Sequence, residues 1–103
     1  MNVIEKIREN KNKPQCLIFS ANWCRPCQNM KPQIEILENN LNNVVKFIKI
    51  TNEECPDAFD IFNIDNIPSF ILTNNDYVLG KYSGSNIKEL LDFIGYYLNI
   101  EFK

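Results

Sequence analysis

Two cysteines three residues apart, Cys24 and Cys27, lie where a strand-like apolar run meets a helix-like one. A thiolate at the start of a helix is stabilised by unpaired backbone N–H groups and by the positive end of the helix dipole. Together these lower a cysteine pKa from about 8.5 into roughly the 3.5–7.5 range. The second thiol lies one helical turn further on, so it can close a ring with the first. This spacing is therefore suited to disulfide exchange.

The size and charge of the chain exclude several classes of protein. The chain has 103 residues, of which 45% are hydrophobic, and this is enough for one small domain with a single core. Its net charge of −2 comes without any block of like charges, which argues against nucleic-acid and membrane-surface binding. No apolar run has the length of a signal peptide or a membrane-spanning helix. We therefore expect one domain over residues 1–103 in a reducing, cytoplasmic compartment.

The cysteine count leaves two other interpretations open. Cys16, Cys24, Cys27 and Cys55 are enough for a two-bridge secreted protein or for a zinc site made of cysteines alone. The first is disfavoured because the apolar content needs no disulfides and no export signal is present. Structural zinc sites usually show two close pairs, whereas Cys16 and Cys55 stand alone, so we expect no metal. Cys16 and Cys55 are predicted to be small buried hydrophobes, with Cys55 also a candidate accessory thiol because Pro56 follows it at a helix start.

The apolar pattern predicts alternating helices and strands in the order α-β-α-β-α-β-β-α. The predicted elements are a short helix around Val3, Ile4 and Ile7, a strand over 16–19, a helix over 26–40, a strand over 44–50, a helix from 56 to about 63, a hairpin of 70–73 and 77–82, and a final helix from Ile87 to Leu98 capped by Asn86. Pro32 lies inside the second helix and predicts a kink there. The hairpin turn, residues 74–76, contains only Asn and Asp, which tolerate left-handed backbone angles.

The combination of motifs resembles the thioredoxin family. The segment 23–27 reads W-C-R-P-C and resembles the family's W-C-G-P-C active site, Pro32 falls at its kinking proline, Ile67-Pro68 at its cis-proline and Gly84 at its later glycine. These spacings agree without insertions, so the resemblance covers nearly everything after residue 14. A lone C-x-x-C is a weak signal, but this combination is highly specific. The resemblance implies an α/β thioredoxin fold, with a central mixed sheet flanked by helices.

Three features depart from the family pattern. The chain begins closer to its cysteines than a typical thioredoxin, so we expect the family's first strand to be absent and the sheet to have four strands. Ile18 stands where thioredoxins carry a buried Asp, while Lys49 stands where they place its lysine partner. In the family that carboxylate assists proton transfer at the second cysteine. Water or another group must do so here, and we expect a slower resolving step near neutral pH and a Lys49 that reaches solvent. The third departure is Arg25 in place of glycine.

Arg25 has two interpretations. It is either an ordinary solvated side chain on the rim of the site or a charge that acts on the cysteine beside it. A positive charge within one helical turn favours the Cys24 thiolate, which lowers its pKa and makes the protein a better oxidant. Screening at the surface limits this effect to a few tens of millivolts from thioredoxin's potential of about −270 mV.

The resemblance implies a cycle in which Cys24 attacks a protein disulfide and Cys27 resolves the mixed disulfide. Cys24 is expected to be the more exposed of the two. A flavoprotein thioredoxin reductase or a small dithiol would recharge the pair, no bound cofactor is needed, and we expect a monomer. Two other classes of function remain open: a disulfide oxidant or isomerase that uses the same residues, and a thioredoxin-fold binding module, which would have no need of both cysteines.

The resemblance also indicates which residues surround the cysteines. Trp23 is either an ordinary packed aromatic or a cover and apolar docking surface for the site. Pro68 is either an ordinary turn proline or a cis residue that turns the Ile67 backbone toward a substrate chain, which pairs with it like an added strand. The candidates for substrate binding are Trp23, Asn66, Ile67, Pro68 and Gly84. The candidates for redox tuning are Trp23, Arg25, Pro26 and Pro68.

Overall fold

The computed structural model describes residues 5 and 13–101, and its elements follow the predicted order from the first strand onward. They are β1 (Gln15–Ser20), α1 (Arg25–Leu41), β2 (Lys46–Thr51), α2 (Pro56–Ile61), β3 (Ser69–Asn74), β4 (Tyr77–Ser83) and α3 (Ile87–Leu98). The helix predicted around Val3, Ile4 and Ile7 lies outside the described residues. The element boundaries differ from the predicted ones by no more than two residues.

The second strand begins two residues later than predicted. Val44 and Val45 were expected in the strand because both are β-branched. Their backbone N–H groups instead donate to the carbonyl of Leu41, each at 2.9 Å, in the turn that follows α1. These two donors are therefore used in the turn after α1 and not in the sheet, and β2 starts at Lys46.

The four strands of the described residues form one mixed sheet in the order β2-β1-β3-β4. β1 pairs in parallel with β2 and antiparallel with β3, and β3 pairs antiparallel with β4. β1 is therefore a central strand, and its residues from Gln15 to Phe19 are all buried. This agrees with the continuous apolar run that predicted a strand covered on both faces. Within the described residues, the prediction of a mixed four-stranded sheet is confirmed.

Alternate residues of β1 belong to two different cores. Cys16 and Ile18 pack in a cluster that contains buried residues of α1 and α3. Leu17 and Phe19 pack in a second cluster with α2, where the Phe19 ring meets Phe59 edge-on at a centroid distance of 5.2 Å. Side chains of a strand alternate between the faces of a sheet, so helices cover both sides of the central strand. The layers are those expected of an α/β fold.

A two-residue turn joins β3 to β4. Asn75 and Asp76 both have positive φ, 51° and 69°, as a tight primed hairpin turn requires. Asn74, which the sequence placed in the turn, is the last residue of β3 and pairs with Tyr77. The antiparallel hairpin itself is as predicted.

Helix α1 carries the cysteine pair at its start, and one apolar side anchors it to the core. Cys27, Met30, Ile34 and Leu37 are its buried residues, at the spacing of a helix that packs on a sheet. Pro26 occupies the first turn, where a missing N–H costs no helical hydrogen bond, and Pro32 lies inside the helix. Within residues 5 and 13–101, no helix is both long enough and apolar enough to cross a membrane.

Candidate active site

The cysteines lie in the junction that leads from the carboxyl end of the central strand β1 into α1. After Ser20 the chain turns, and the N–H of Cys24 donates to the carbonyl of Ala21 at 3.2 Å. Cys24 is the N-cap residue of α1, with extended backbone angles. Its sulfur accepts a hydrogen bond from the N–H of Cys27 at 3.3 Å. A polar side chain usually fills this position, so the Cys24 sulfur takes the place of an ordinary capping oxygen.

Cys24 and Cys27 form a disulfide with their Cα atoms 5.3 Å apart. Cys16 and Cys55 are both free, so the two-bridge framework left open by the sequence is wrong. Within the part of the chain that the structure describes, no group of three His, Cys, Asp or Glu side chains is placed to hold a metal ion.

In the disulfide form, Cys24 is as buried as Cys27, which contradicts the expectation that it would be the more exposed. The two residues are 4% and 7% exposed. They pack with Ala21 and with Ile67, a residue of the remote loop before β3. Trp23, by contrast, is 74% exposed, so it is not a packed core aromatic. Its side chain is open to solvent, one residue before Cys24 in the chain.

The cis-proline loop lies against the cysteine pair. The Ile67–Pro68 bond is cis, as the resemblance implied. Ile67 is half-buried against the cysteines, Pro68 is buried and Asn66 is exposed. The carbonyl of Pro68 accepts a hydrogen bond from the N–H of Gly84 at 3.1 Å. The fold therefore brings together the candidate residues of three separate segments.

Hydrogen bonds hold the ends of this loop in place. The hydroxyl of Ser69 donates to the carbonyl of Asn66 and also lies 2.8 Å from the hydroxyl of Ser83. Gly84 has a φ of +154°, and a Cβ there would lie 2.6 Å from the hydroxyl of Tyr82. Only glycine combines this positive φ with the close approach of the Tyr82 hydroxyl without strain.

A cleft of about 140 Å³ opens beside Cys27, and we call it the Cys27 cleft. Its lining residues are Ile18, Ser20, Asn22, Cys27, Gln28, Lys31, Ile34, Lys49, Thr51 and Pro68. Two of them are lysines and none is acidic. Lys49 is exposed, as expected, but it also forms an ion pair with Glu38 of α1, with its Nζ 3.3 Å from Oε1. Sequence reasoning missed Glu38, because this contact joins a helix to a strand with no motif to mark it.

A wider groove of about 340 Å³ follows the opposite side of α1, and we call it the Arg25 groove. Its lining residues are Arg25, Pro26, Asn29, Met30, Gln33 and Ser85. Arg25 is exposed, as its interpretation as a solvated side chain requires. It forms no ion pair with any described residue. Ser85 was not predicted here, since it comes from the connection between β4 and α3.

The two remaining cysteines differ in their surroundings. Cys16 is completely buried, and desolvation raises the pKa of its thiol from 9.0 to about 12. It therefore stays protonated and unreactive at neutral pH. Cys55 is half-buried before α2, where its sulfur makes no capping hydrogen bond and packs against the second core.

Comparison with known proteins agrees with this geometry. Residues 2–95 match the family model Thioredoxin. The thioredoxin of Buchnera aphidicola is 36% identical over 78 residues, which are 72% of this chain and 72% of that protein. Two Arabidopsis thaliana relatives, Thioredoxin H2 and the chloroplastic Thioredoxin Y2, are 33% and 29% identical over 85 and 84 residues. Each alignment covers 82% of this chain, which spans only 62% and 50% of those relatives.

The fold also matches solved structures. The thioredoxin of Fasciola hepatica superimposes with a TM-score of 0.85 at 26% identity, over 92% of this chain and 90% of that one. A family match over nearly the whole sequence thus coincides with the fold and with a cysteine pair at the start of α1. The chain belongs to the thioredoxin family.

Proposed function

We propose that this chain is a thiol-disulfide oxidoreductase that reduces protein disulfides by cycling Cys24 and Cys27 between dithiol and disulfide. One observation carries the proposal: the two sulfurs are bonded at the N-terminus of a 17-residue helix, directly beside the cis-proline loop. A structural disulfide needs no such position, whereas an exchanging pair needs a helix start that stabilises the thiolate.

In the first step the Cys24 thiolate attacks a substrate disulfide. Its electron pair forms a bond to one substrate sulfur, and the other substrate sulfur leaves as a thiolate that takes up a proton. The N–H of Cys27, 3.3 Å from the Cys24 sulfur, and the dipole of α1 both favour the attacking thiolate. The product is a mixed disulfide between the substrate and Cys24.

In the second step Cys27 loses its proton and attacks the Cys24 sulfur. The substrate's remaining sulfur leaves as a thiolate, so the substrate gains two electrons and two protons while the pair becomes a disulfide. No carboxylate lines the Cys27 cleft, and we infer that water in the cleft takes the proton. Lys31 lines the same cleft, and its positive charge favours the Cys27 thiolate.

The residues around the pair have proposed roles in docking and tuning. Ile67 packs against the cysteines, and its backbone is the proposed edge with which a substrate strand pairs. Asn66, Pro68 and Gly84 complete this docking edge, and the exposed Trp23 ring adds apolar surface. We assign the tuning of the pair's redox potential to Arg25, Pro26 and Pro68, together with Trp23.

The partners and location follow from this chemistry. Disulfide-containing proteins are the proposed substrates, and a thioredoxin reductase or a small dithiol is the proposed electron donor to a monomeric carrier. The free cysteines Cys16 and Cys55 suit a reducing compartment. The cytoplasm is the expected location, although the similar proteins include chloroplastic ones.

Matched cysteine variants test the proposal. Cys24→Ser is expected to abolish the reduction of insulin disulfides, and Cys27→Ser is expected to accumulate mixed disulfides that gel analysis without reductant detects. Cys55→Ser removes a thiol outside the pair and serves as the control. Full activity of Cys24→Ser would refute the proposal.

The redox potential separates a reductase from an oxidant or isomerase. It is measured by equilibrating the protein with glutathione or dithiothreitol buffers and following Trp23, the one tryptophan, which adjoins Cys24. A value near about −270 mV identifies a general reductase, and one above about −200 mV identifies an oxidant or isomerase.

A further inference from the structure

The Arg25 groove combines one cation with neutral hydrogen-bond donors. Arg25, Asn29 and Gln33 follow one another at intervals of four residues, so their side chains lie along one side of α1. Met30, only 2% exposed, contributes an apolar floor, and Ser85 adds a hydroxyl from a different segment. None of the six lining residues is acidic.

The charge of Arg25 is not neutralised by the rest of the described chain. Arg25 is exposed and forms no ion pair within residues 5 and 13–101. It also occupies the first turn of α1, where the helix dipole adds a positive potential. The groove therefore has the electrostatic character that complements a carboxylate, and a guanidinium can bind a carboxylate through two parallel hydrogen bonds.

The position of the groove connects it to the reacting cysteines. Arg25 directly follows Cys24 in the chain. Ser85 directly follows Gly84, whose N–H donates to the carbonyl of Pro68. A side chain close to the disulfide of a docked substrate therefore lies within reach of the groove.

The segment that carries Ser85 is held in place before any substrate binds. The Tyr82 hydroxyl accepts a hydrogen bond from the N–H of Asn86 at 3.2 Å and donates to Oε1 of Glu89 at 2.9 Å. Its ring stacks on Phe70 with a centroid distance of 5.9 Å. These contacts fix both ends of the connection between β4 and α3, and preorganisation of this kind reduces the entropy lost on binding.

We propose that the Arg25 groove binds an Asp or Glu side chain next to the disulfide of a substrate protein, so that acidic disulfide sites are reduced faster than basic ones. This inference rests on the proposed function, and it adds to that function a class of substrate. The pair it invokes is partly exposed, so the expected preference is modest: roughly two- to fivefold for an acidic over a neutral neighbour. The preference should weaken as salt is added, because salt screens exposed charges.

Matched disulfide peptides test the inference. The peptides share one sequence and carry Glu, Gln or Lys beside the disulfide, and an isomer carries the Glu at a distal position with the same net charge. The second-order rate constant for reduction is measured for each, and the readout is the ratio of the Glu rate to the Gln and Lys rates. The distal isomer separates binding in the groove from the field of the whole protein.

Three variants locate the source of the preference. Arg25→Gln removes the cation and is expected to bring the Glu-to-Gln ratio to about one. Gln33→Glu adds a carboxylate two turns from the cysteines and is expected to reverse the preference. Lys46→Gln removes one positive charge at the start of β2, at the opposite end of the sheet from the cysteines, and should keep the wild-type ratio.

Each outcome decides the matter. The expected pattern of ratios supports the groove. If all peptides are reduced at equal rates, the inference is wrong but the proposed function stands. The same conclusion follows if the preference for Glu survives in Arg25→Gln, or if the distal Glu gives an equally strong preference. If the folded protein reduces none of the peptides, both the inference and the proposed function are wrong.

Discussion

Replacing Ile18 by Asp should speed the second step of the proposed disulfide-exchange cycle. Ile18 lines the Cys27 cleft and is paired with Lys49 in the register of β1 and β2. A carboxylate there would lie beside both Cys27 and Lys49. Burial raises a carboxyl pKa towards neutrality, and a general base works best when its pKa is near the working pH. We expect the resolving step at pH 6–7 to be at least about tenfold faster, since general-base catalysis typically contributes 10²–10⁴-fold.

This gain should come with a loss of stability. Ile18 is 5% exposed, so the substitution removes a nearly complete apolar burial. Truncation of a buried Ile costs about 2–5 kcal/mol, against about 5–15 kcal/mol for the whole fold of a small domain. The new carboxyl would face an open cleft and would compete with Glu38 for Lys49, which limits the desolvation penalty. Urea unfolding should therefore show a protein that is folded but has a lower free energy of unfolding.

Single-turnover fluorescence separates the two steps. The reduced protein is mixed with excess disulfide substrate, and Trp23 emission is followed from pH 6 to pH 8. The rate of the first phase scales with substrate concentration, whereas the resolving phase does not. Ile18→Asn is the matched control, because Asn has nearly the same size and polarity as Asp but cannot accept the Cys27 proton. The reasoning fails if folded Ile18→Asp shows no acceleration, or if Ile18→Asn accelerates the step equally.

Three further predictions concern stability. The pKa of Cys16 is about 12 in the fold and 9.0 ordinarily, so the folded protein holds the thiol proton more tightly than the unfolded chain does. The stability that results is fully present below pH 9 and is lost as pH rises through the folded pKa. The free energy of unfolding should fall more steeply between pH 9 and 12, by up to about 1.4 kcal/mol per unit, than in Cys16→Val; parallel curves for the two proteins would contradict this. Asn86→Ala removes the cap to the N–H of Glu89, 3.0 Å away, and should cost about 1 kcal/mol in urea unfolding; an unchanged midpoint would argue against the cap. Gly84→Ala places a Cβ against the Tyr82 hydroxyl at a positive φ, so it should destabilise the fold by roughly 1–3 kcal/mol and raise the KM for protein disulfides. A wild-type KM would argue against Gly84 as part of the docking edge.

Local signals in the sequence predicted most of the fold. The cap at Asn86, the apolar stripe of α3, and the strand-to-helix junction at Cys24 each depend on a few neighbouring residues, and all appear in the structure. The strands and the hairpin followed from the apolar pattern, whereas the mixed sheet as a whole and the cis bond at Pro68 followed from the family resemblance. Local pattern and family likeness therefore supplied different parts of the prediction.

The errors arose where a distant residue decides the outcome. Cys24 is buried because Ile67 packs on it from a segment more than forty residues away. The pairing of Lys49 with Glu38 and the place of Ser85 in the Arg25 groove likewise depend on how separate elements pack. These contacts are set by tertiary structure, which no spacing within one segment reveals.

The disulfide at the start of α1 closes a very small ring. Cys24 and Cys27 are only three positions apart. In the chain-entropy model, a ring of four residues stabilises the fold by about 2 kcal/mol, compared with about 4.7 kcal/mol for a loop of one hundred residues. Opening and closing the pair therefore changes the stability of the fold by only a fraction of its total. In the proposed cycle, the chain would therefore open and close this bond while the sheet stays folded, and disulfide exchange would not require unfolding.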